Sequence, residues 1–306
     1  MLYQKYRPQT FAEMVGNEAQ VEALQKMIES ESRPHVYLFS GETGCGKTTA
    51  ARICAQLVGA GELSITEVNS SNNRGIETAR QLIDQMQMLP IDGSAQVFII
   101  DELHQTTKDW QNAMLKALED TPEHVYFFLC TTDPQKLLPT LRKRCQIFNF
   151  NPIPEETLTR LIRRVAKKEG LEISMELAEA ISNKSEGSAR TSLVILEKIA
   201  GLEAEKALKI ISSYIDEESA EVIELCRALI GGRPWPEVCK ILKGLKEAGL
   251  EAEKIRYAVM GYMSSVLLNG KDSPSAAVSL EYFSEPFYNS GFPGVTLTCY
   301  QVTFSR

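Results

Sequence analysis

Along the first 150 residues the apolar positions follow two different periods. Short stretches that are apolar at most positions stand at His35–Ser40, Ser64–Asn69, Gln96–Asp101, His124–Cys130 and Cys145–Phe150. Runs of this length, rich in aromatic and β-branched residues, predict strands buried on both faces. Between them the apolar residues recur every three or four positions, over roughly 18–31, 47–58, 75–88, 109–119 and 136–142, which predicts helices. Strand–helix alternation of this kind predicts an α/β fold, a parallel sheet with helices on both faces. Asn17, with Gln20 three residues on, predicts the cap of the first long helix.

At Asn151-Pro152-Ile153-Pro154 the pattern changes, because two prolines in three residues stop a sheet and open a hinge. Beyond it the periodicity is helical throughout. Helices are expected at Glu155–Glu169, Ser174–Lys184, Ser188–Ala200 and Glu203–Ser212, with Gly170, Gly187 and Gly201 marking their ends. A third block carries expected helices at Glu217–Ile230, Pro234–Ala248 and Ala252–Leu268, followed by two shorter ones. The expected domains are therefore 1–150, 151–212 and 213–306. Apolar residues of the third block such as Tyr257, Met260, Tyr262, Met263 and Val266–Leu268 suit either its own core or a face that packs against other subunits.

Composition changes this picture little: the chain has 306 residues, 43% hydrophobic and 24% charged, as globular proteins do. The longest unbroken apolar run, Val125 to Cys130, is far too short to span a bilayer, and the first residues lack the apolar core of a signal peptide. A soluble, cytoplasmic protein with no membrane partner is expected. The seven cysteines show no CxxC pair, so neither a zinc site nor a disulfide framework is expected, and they read as small buried apolar residues. The three histidines are assigned no catalytic role, and Trp110 and Trp235 are assigned to packing. Net charge is −7, with 14 basic and 18 acidic residues in 1–150, ten of each in 151–212, and nine and twelve in 213–306. That balance is not a nucleic-acid binder's, so DNA contact would need a local basic stripe or several subunits acting together.

Two motifs carry chemistry. Gly41-Glu42-Thr43-Gly44-Cys45-Gly46-Lys47-Thr48 fits G-x-x-x-x-G-K-[ST] and lies between an expected strand and an expected helix that opens with Thr49. Such a loop curls successive backbone N–H groups round a phosphate, with the positive end of the helix behind them. Lys47 then reaches the β- and γ-phosphates of ATP, and the Thr48 hydroxyl ligates Mg²⁺. The second motif is Asp101-Glu102, at the end of the buried run Val97-Phe98-Ile99-Ile100. Adjacent carboxylates at a strand's C-terminal end repel one another, and that end of an α/β sheet is where ligands bind. Asp101 is expected to hold Mg²⁺, and Glu102 to orient and polarise the attacking water.

Together with further segments, these motifs resemble an AAA+ ATPase, and more narrowly a sliding-clamp loader ATPase subunit. The chain is similar to the bacterial DNA polymerase III gamma/tau subunits and to the small subunits of replication factor C. The segments are Tyr3-Gln4-Lys5-Tyr6-Arg7-Pro8 with Phe11 and Val15-Gly16, Asn69–Ile76, Cys130–Leu137, Arg144-Cys145 and Gly187-Ser188-Ala189-Arg190. The resemblance implies that Tyr6, Arg7, Pro8, Val15 and Gly16 line an adenine pocket. It implies that Thr132 senses the γ-phosphate or the lytic water and that Arg190 folds over the phosphates from a helical lid. Arg144 is implied to be a finger that reaches the γ-phosphate held by a neighbouring subunit. Asn69 is implied to hold Glu102 inactive until DNA arrives. Implied partners are other loader subunits in a pentameric assembly, the sliding clamp and primer–template DNA, with Arg74, Gly75, Arg80 and Lys108 as candidate DNA contacts and residues 213–306 as a collar.

The chain also departs from that family. The bacterial gamma/tau subunits carry a four-cysteine zinc module where this chain has only Gln56–Gly61, so no zinc is expected. Lys143 stands where the family has serine before the finger arginine. Asn69–Ile76 is closer to replication factor C and Thr131–Leu137 to gamma/tau. No long polymerase-binding extension is expected after the helices, and a bacterial and a bacteriophage source stay equally open. Alternatives from the residues are another AAA+ DNA-processing ATPase (branch migration or helicase loading), a non-hydrolysing scaffold subunit, and a small-molecule P-loop kinase.

Overall fold

Five strands form one parallel sheet in the computed structural model: β1 (Val36–Gly41), β2 (Ile65–Asn69), β3 (Gln96–Asp101), β4 (Val125–Thr131) and β5 (Gln146–Phe150), in the order β2-β3-β4-β1-β5. The structure describes residues 1–70, 73–213, 217–250, 252–270, 272–288 and 290–305. Ser71 and Asn72, within the segment Asn69–Ile76, lie outside the described residues. The chain divides into two compact units, 1–213 and 214–306.

Period-two alternation explains why the strands read as continuous apolar runs. Tyr37, Phe39, Val97, Ile99, Tyr126, Phe128, Phe148 and Phe150 face one buried layer. Val36, Leu38, Phe98, Ile100, Val125, Phe127 and Leu129 face the other. Both sides of the sheet are covered, as in parallel sheets generally. The short α1 (Leu2–Lys5) opens the chain. The first layer is closed by α2 (Glu18–Ile28) and α3 (Lys47–Leu57), the second by α4 (Ile76–Gln85), α5 (Lys108–Glu119) and the short α6 (Pro139–Arg142).

Two local expectations are corrected. The helix expected at 136–142 is instead a 3-10 turn at Pro134–Lys136 and then α6. Pro139 disfavours helical backbone at Leu138, which is extended with φ −56° and ψ 133°. Asn17 does not cap α2 with its side chain. Its amide donates to the Asn151 carbonyl (2.9 Å) and accepts the Asn151 N–H (2.7 Å), tying the start of α2 to the end of β5.

The first unit continues in helices α7 (Glu155–Lys168), α8 (Met175–Lys184), α9 (Ala189–Ile199) and α10 (Ala204–Ser213). Helix α7 buries Leu158, Leu161, Ile162 and Val165, an i, i+3, i+4, i+7 stripe. Glu155 and Glu156 in its first turn and Lys167 and Lys168 in its last complement the helix dipole. Ser174 and Ser188 cap α8 and α9 by accepting the Leu177 and Thr191 N–H groups.

The second unit is helical: α11 (Glu217–Gly231), α12 (Trp235–Glu247), α13 (Ala252–Leu268), α14 (Pro274–Tyr282) and α15 (Gly291–Phe304). Of the apolar residues singled out on α13, Met263 is buried in this unit's core, and Met260, Tyr262, Val266 and Leu267 pack against it. Tyr257 and Leu268 are exposed. Among the described residues no helix is long and apolar enough to cross a membrane. Cys45, Cys54, Cys130, Cys226 and Cys299 are buried, Cys145 and Cys239 are half-buried, and all seven are free thiols. Burial pushes the Cys145 and Cys226 thiols up to about 12, which leaves them unreactive near neutral pH.

Candidate nucleotide site

Strand β1 ends at Gly41 and α3 begins at Lys47, so the loop between them crosses the C-terminal edge of the sheet. Gly41 is the last β1 residue paired with β5, opposite Phe150, and has φ +142°. A Cβ there would lie 2.0 Å from the Phe150 carbonyl oxygen. Gly41→Ala is expected to cost about 2–4 kcal/mol of stability, because both the left-handed backbone and the backbone contact are incompatible with a side chain. A thermal melt checks this, and an unchanged Tm would contradict the contact.

The Lys47 ammonium is buried at the mouth of the loop and donates to the carbonyls of Gly41 (2.8 Å) and Glu42 (2.9 Å). The Thr48 hydroxyl donates to Asp101 Oδ2 at 2.9 Å, and Asp101 Oδ1 accepts the Glu102 N–H at 3.0 Å. Glu102 itself has φ +52°, a left-handed backbone that costs a non-glycine residue about 1 kcal/mol or more and clusters at functional sites. Thus Thr48 and Asp101 converge across 53 positions of sequence, as the two motifs predict.

A crevice of about 1010 Å³, its open mouth included, lies over this loop. Tyr6, Arg7, Pro8, Val15, Thr43–Thr49, Asp101, Glu102 and Arg190 line it. Gly16 does not line it; a Cβ there would meet Ile153 at 3.1 Å. Tyr3, from the N-terminal signature, lines it too, and the sequence reading missed Met14, Ile153, Leu161, Arg164 and Leu193, which also line the crevice. Four of these come from the helical segment after residue 150, where amphipathic spacing is the only signal and does not distinguish a ligand wall from a core.

The N-terminal segment is fastened to that helical segment by polar contacts. The Tyr6 hydroxyl donates to the Glu169 carboxylate, and Lys5 pairs with the same carboxylate at 2.6 Å. Hydrogen bonds from Lys5 and Tyr6 hold the Glu169 carboxyl below its ordinary range, while the bond to Glu169 raises the Tyr6 phenol. The Arg190 guanidinium lies 4.9 Å from the centre of the Tyr3 ring, a cation–π contact. The Ala189 N–H donates to the carbonyl of Gly44 (3.2 Å), so α9 touches the phosphate loop directly. A Cβ on Gly44 would lie 2.0 Å from the Ser188 hydroxyl.

At the ends of β3 and β4 one of the three histidines meets the acidic pair. His104 is buried beside an acid, with Nδ1 3.4 Å from Glu102 Oε2. The same nitrogen is 3.2 Å from Thr131 Oγ1 and 3.5 Å from Thr132 Oγ1. Thr131 is buried and accepts the Asp133 N–H at 3.1 Å, whereas Thr132 is half-buried. Neither threonine lines the crevice. Asn69 ends β2 in register with Asp101.

Arg144 sits elsewhere. It donates to Glu119 (2.6 Å) and to the Thr140 carbonyl (3.0 Å) and shares a recess with His35 and Val36, at the start of β1. Strand register pairs Gln146 with Tyr37 and Phe150 with Gly41, so strand rise puts Arg144 about 20 Å from the phosphate loop. Of the remaining candidates, Gly75 precedes α4 and Lys108 opens α5, and the Thr107 N–H donates to the Arg74 carbonyl at 3.1 Å. That bond brings the backbone leading into α4 beside the start of α5. Arg80, on α4, pairs with Glu77 at 2.7 Å.

Sheet order, phosphate loop and acidic strand end define a P-loop protein of the AAA+ fold. Solved structures agree: a Thermotoga maritima RuvB variant superposes with a TM-score of 0.62 at 22% identity, covering 88% of this chain and 94% of its own. The Thermotoga maritima RuvB Holliday junction branch migration motor superposes with 0.59 at 23% identity, covering 75% and 82%. Residues 60–154 match the profile of the family described as DNA polymerase III, delta subunit. The chain is similar to the DNA polymerase III gamma/tau subunits. It is 34% identical over 221 residues to the Mycobacterium tuberculosis subunit gamma/tau, covering 65% of this chain and 38% of that protein. To the Escherichia coli subunit tau it is 28% identical over 294 residues, covering 88% and 45%. The chain thus spans less than half the length of these curated relatives.

Proposed function

We propose that this chain is an ATPase subunit of a DNA sliding-clamp loader, using ATP bound at subunit interfaces to open a ring-shaped clamp and place it on primer–template DNA. The observation that carries the reading is a division of labour. The crevice of one chain gathers Lys47, Thr48, Asp101 and Glu102, while Arg144 lies about 20 Å away by strand rise, well beyond the reach of its own side chain. A finger so placed serves a neighbouring copy's nucleotide, and this supports a ring or spiral, read as pentameric with 151–212 as lid and 213–306 as collar. The gamma/tau relatives support the replication role, and the setting is read as cytoplasmic.

In this reading the phosphate-loop N–H groups and the Lys47 ammonium bind the β- and γ-phosphates. Thr48 and Asp101, already joined through hard oxygen atoms, are the side chains to hold Mg²⁺. Bound there, the ion neutralises charge on the phosphate oxygens. Glu102 orients the lytic water, Asn69 restrains Glu102 before DNA binds, Thr132 senses the γ-phosphate, and Arg190 contacts the phosphates from the lid. Tyr6, Arg7, Pro8, Val15 and Gly16 shape the adenine end. No zinc enters the scheme. Arg74, Gly75, Arg80 and Lys108 meet DNA phosphates, a sequence-independent contact that weakens with salt.

Clamp pull-down with ATP, and ATP turnover with and without clamp and primed DNA, test the reading. Stimulation by both together is expected, and turnover indifferent to both removes the loader role.

An apolar tip is the surface best suited to the clamp. Met88, Leu89 and Ile91, 62%, 79% and 78% exposed, form it with Leu63 at 71%, and the Leu63 N–H bond to Asp92 holds the two loops together. The tip precedes β3, so it lies at the opposite end of the sheet from the crevice. Double replacement Leu89→Ser with Ile91→Ser is expected to weaken clamp capture about 100-fold, since two buried aliphatic side chains are worth about 3 kcal/mol or more. Nucleotide affinity should not change. Undiminished capture would place the clamp elsewhere.

A further inference from the structure

His104 belongs to none of the motifs, yet it is buried next to the acidic pair. It lies in the 3-10 turn Leu103–Gln105, and its side chain is only 2% exposed. On one edge of the ring, Nε2 is 3.1 Å from the Gln105 amide nitrogen. An amide nitrogen can only donate, so Nε2 accepts and the ring carries its proton on Nδ1. Nδ1 is within hydrogen-bond distance of the hydroxyls of Thr131 and Thr132, at 3.2 and 3.5 Å, and lies 3.4 Å from Glu102 Oε2. Among the three acceptors only Glu102 bears a charge, and a hydrogen bond to an ionised acceptor is about twice as strong as a neutral one. Glu102 also needs holding, because its left-handed backbone points the side chain from a strained turn. The turn is closed behind it by the Gln105 N–H donating to the Glu102 carbonyl at 2.8 Å.

We propose that His104 is a positioning residue whose Nδ1–H holds the Glu102 carboxylate in register with the hydroxyls of Thr131 and Thr132, coupling the water-orienting acid to the end of β4. The inference rests on the reading of Glu102 given above. It predicts that the donor on one edge of the ring matters more than the ring itself.

The test compares His104→Asn, whose amide takes the place of Nδ1, with His104→Gln, whose amide reaches only the position of Nε2. ATP turnover is measured against ATP concentration in the assembly with clamp and primed DNA. His104→Gln should lose kcat on the order of 10- to 100-fold, as misplacement of a reacting group does, with KM unchanged. His104→Asn should retain most of the wild-type kcat. Equal losses in both variants, or none in either, overturn the proposal, because a purely structural histidine would not distinguish them. Glu102→Gln separates the two levels of inference. If it turns over at the wild-type rate, the reading of Glu102 falls. If it is inactive while His104→Gln is normal, only the role of His104 falls. An independent readout is nitrogen-15 NMR of the histidine ring in the full chain. It should show the Nδ1–H tautomer, with the Nδ1 signal moved by Glu102→Gln. An Nε2–H tautomer overturns the proposal whatever the turnover.

Discussion

Arg144→Ala is expected to lower ATP turnover of the assembled complex by about 10³-fold or more, while leaving nucleotide affinity of the isolated chain unchanged. The expectation follows from placement. Arg144 starts the approach to β5 at the far end of the strands from the phosphate loop, so it contributes nothing to its own crevice. Its pair with Glu119 does not compete seriously with the proposed role. Glu119 is 59% exposed and Arg144 29%, and such pairs are worth about 0–1 kcal/mol. A finger that raises turnover 10³-fold contributes about 4 kcal/mol in the transition state, so a neighbour's nucleotide wins the arginine. Arg144→Lys should rescue little, because a point charge cannot reproduce the guanidinium fork. Steady-state turnover of the complex and nucleotide titration of the single chain check both halves. Wild-type turnover in Arg144→Ala, or an isolated chain as fast as the assembly, removes the shared site.

Lys47→Ala should be nearly as damaging but in a different way. Its ammonium is buried and donates to the carbonyls of Gly41 and Glu42 at the mouth of the loop. Removing a preorganised cationic donor costs about 10²–10³ in kcat. Unlike the finger variant, it should also weaken triphosphate binding by the chain alone, since the lost contact is intramolecular to one crevice. Titration with ATP distinguishes the two variants directly. Equal nucleotide affinity in Lys47→Ala and wild type would mean that the loop grips phosphate by its backbone alone.

The phosphate loop and the Asp101-Glu102 pair were legible because their chemistry is local. A few adjacent residues set the turn, and the flanking apolar runs supply the strands. The alternation Tyr37/Phe39 against Val36/Leu38 likewise announces a sheet covered on both faces. What was not legible depends on contacts between distant residues. Asn17 has the composition of a helix cap, but its amide finds a better double partner in Asn151, 134 residues on. His104 looked isolated because Thr131 and Thr132 come to it only through the pairing of β3 with β4. Tyr3 is one residue among several in an N-terminal signature until α9 brings Arg190 over its ring. The short helix at 139–142 was overextended because spacing alone does not weigh Pro139.

The bond from the Ala189 amide to the carbonyl of Gly44 has a wider consequence. It joins main chain to main chain, so no substitution at position 189 other than proline removes the donor. The phosphate loop and the leading turn of α9 are therefore joined by a main-chain contact. Drift of the surrounding side chains over evolution would leave that linkage in place.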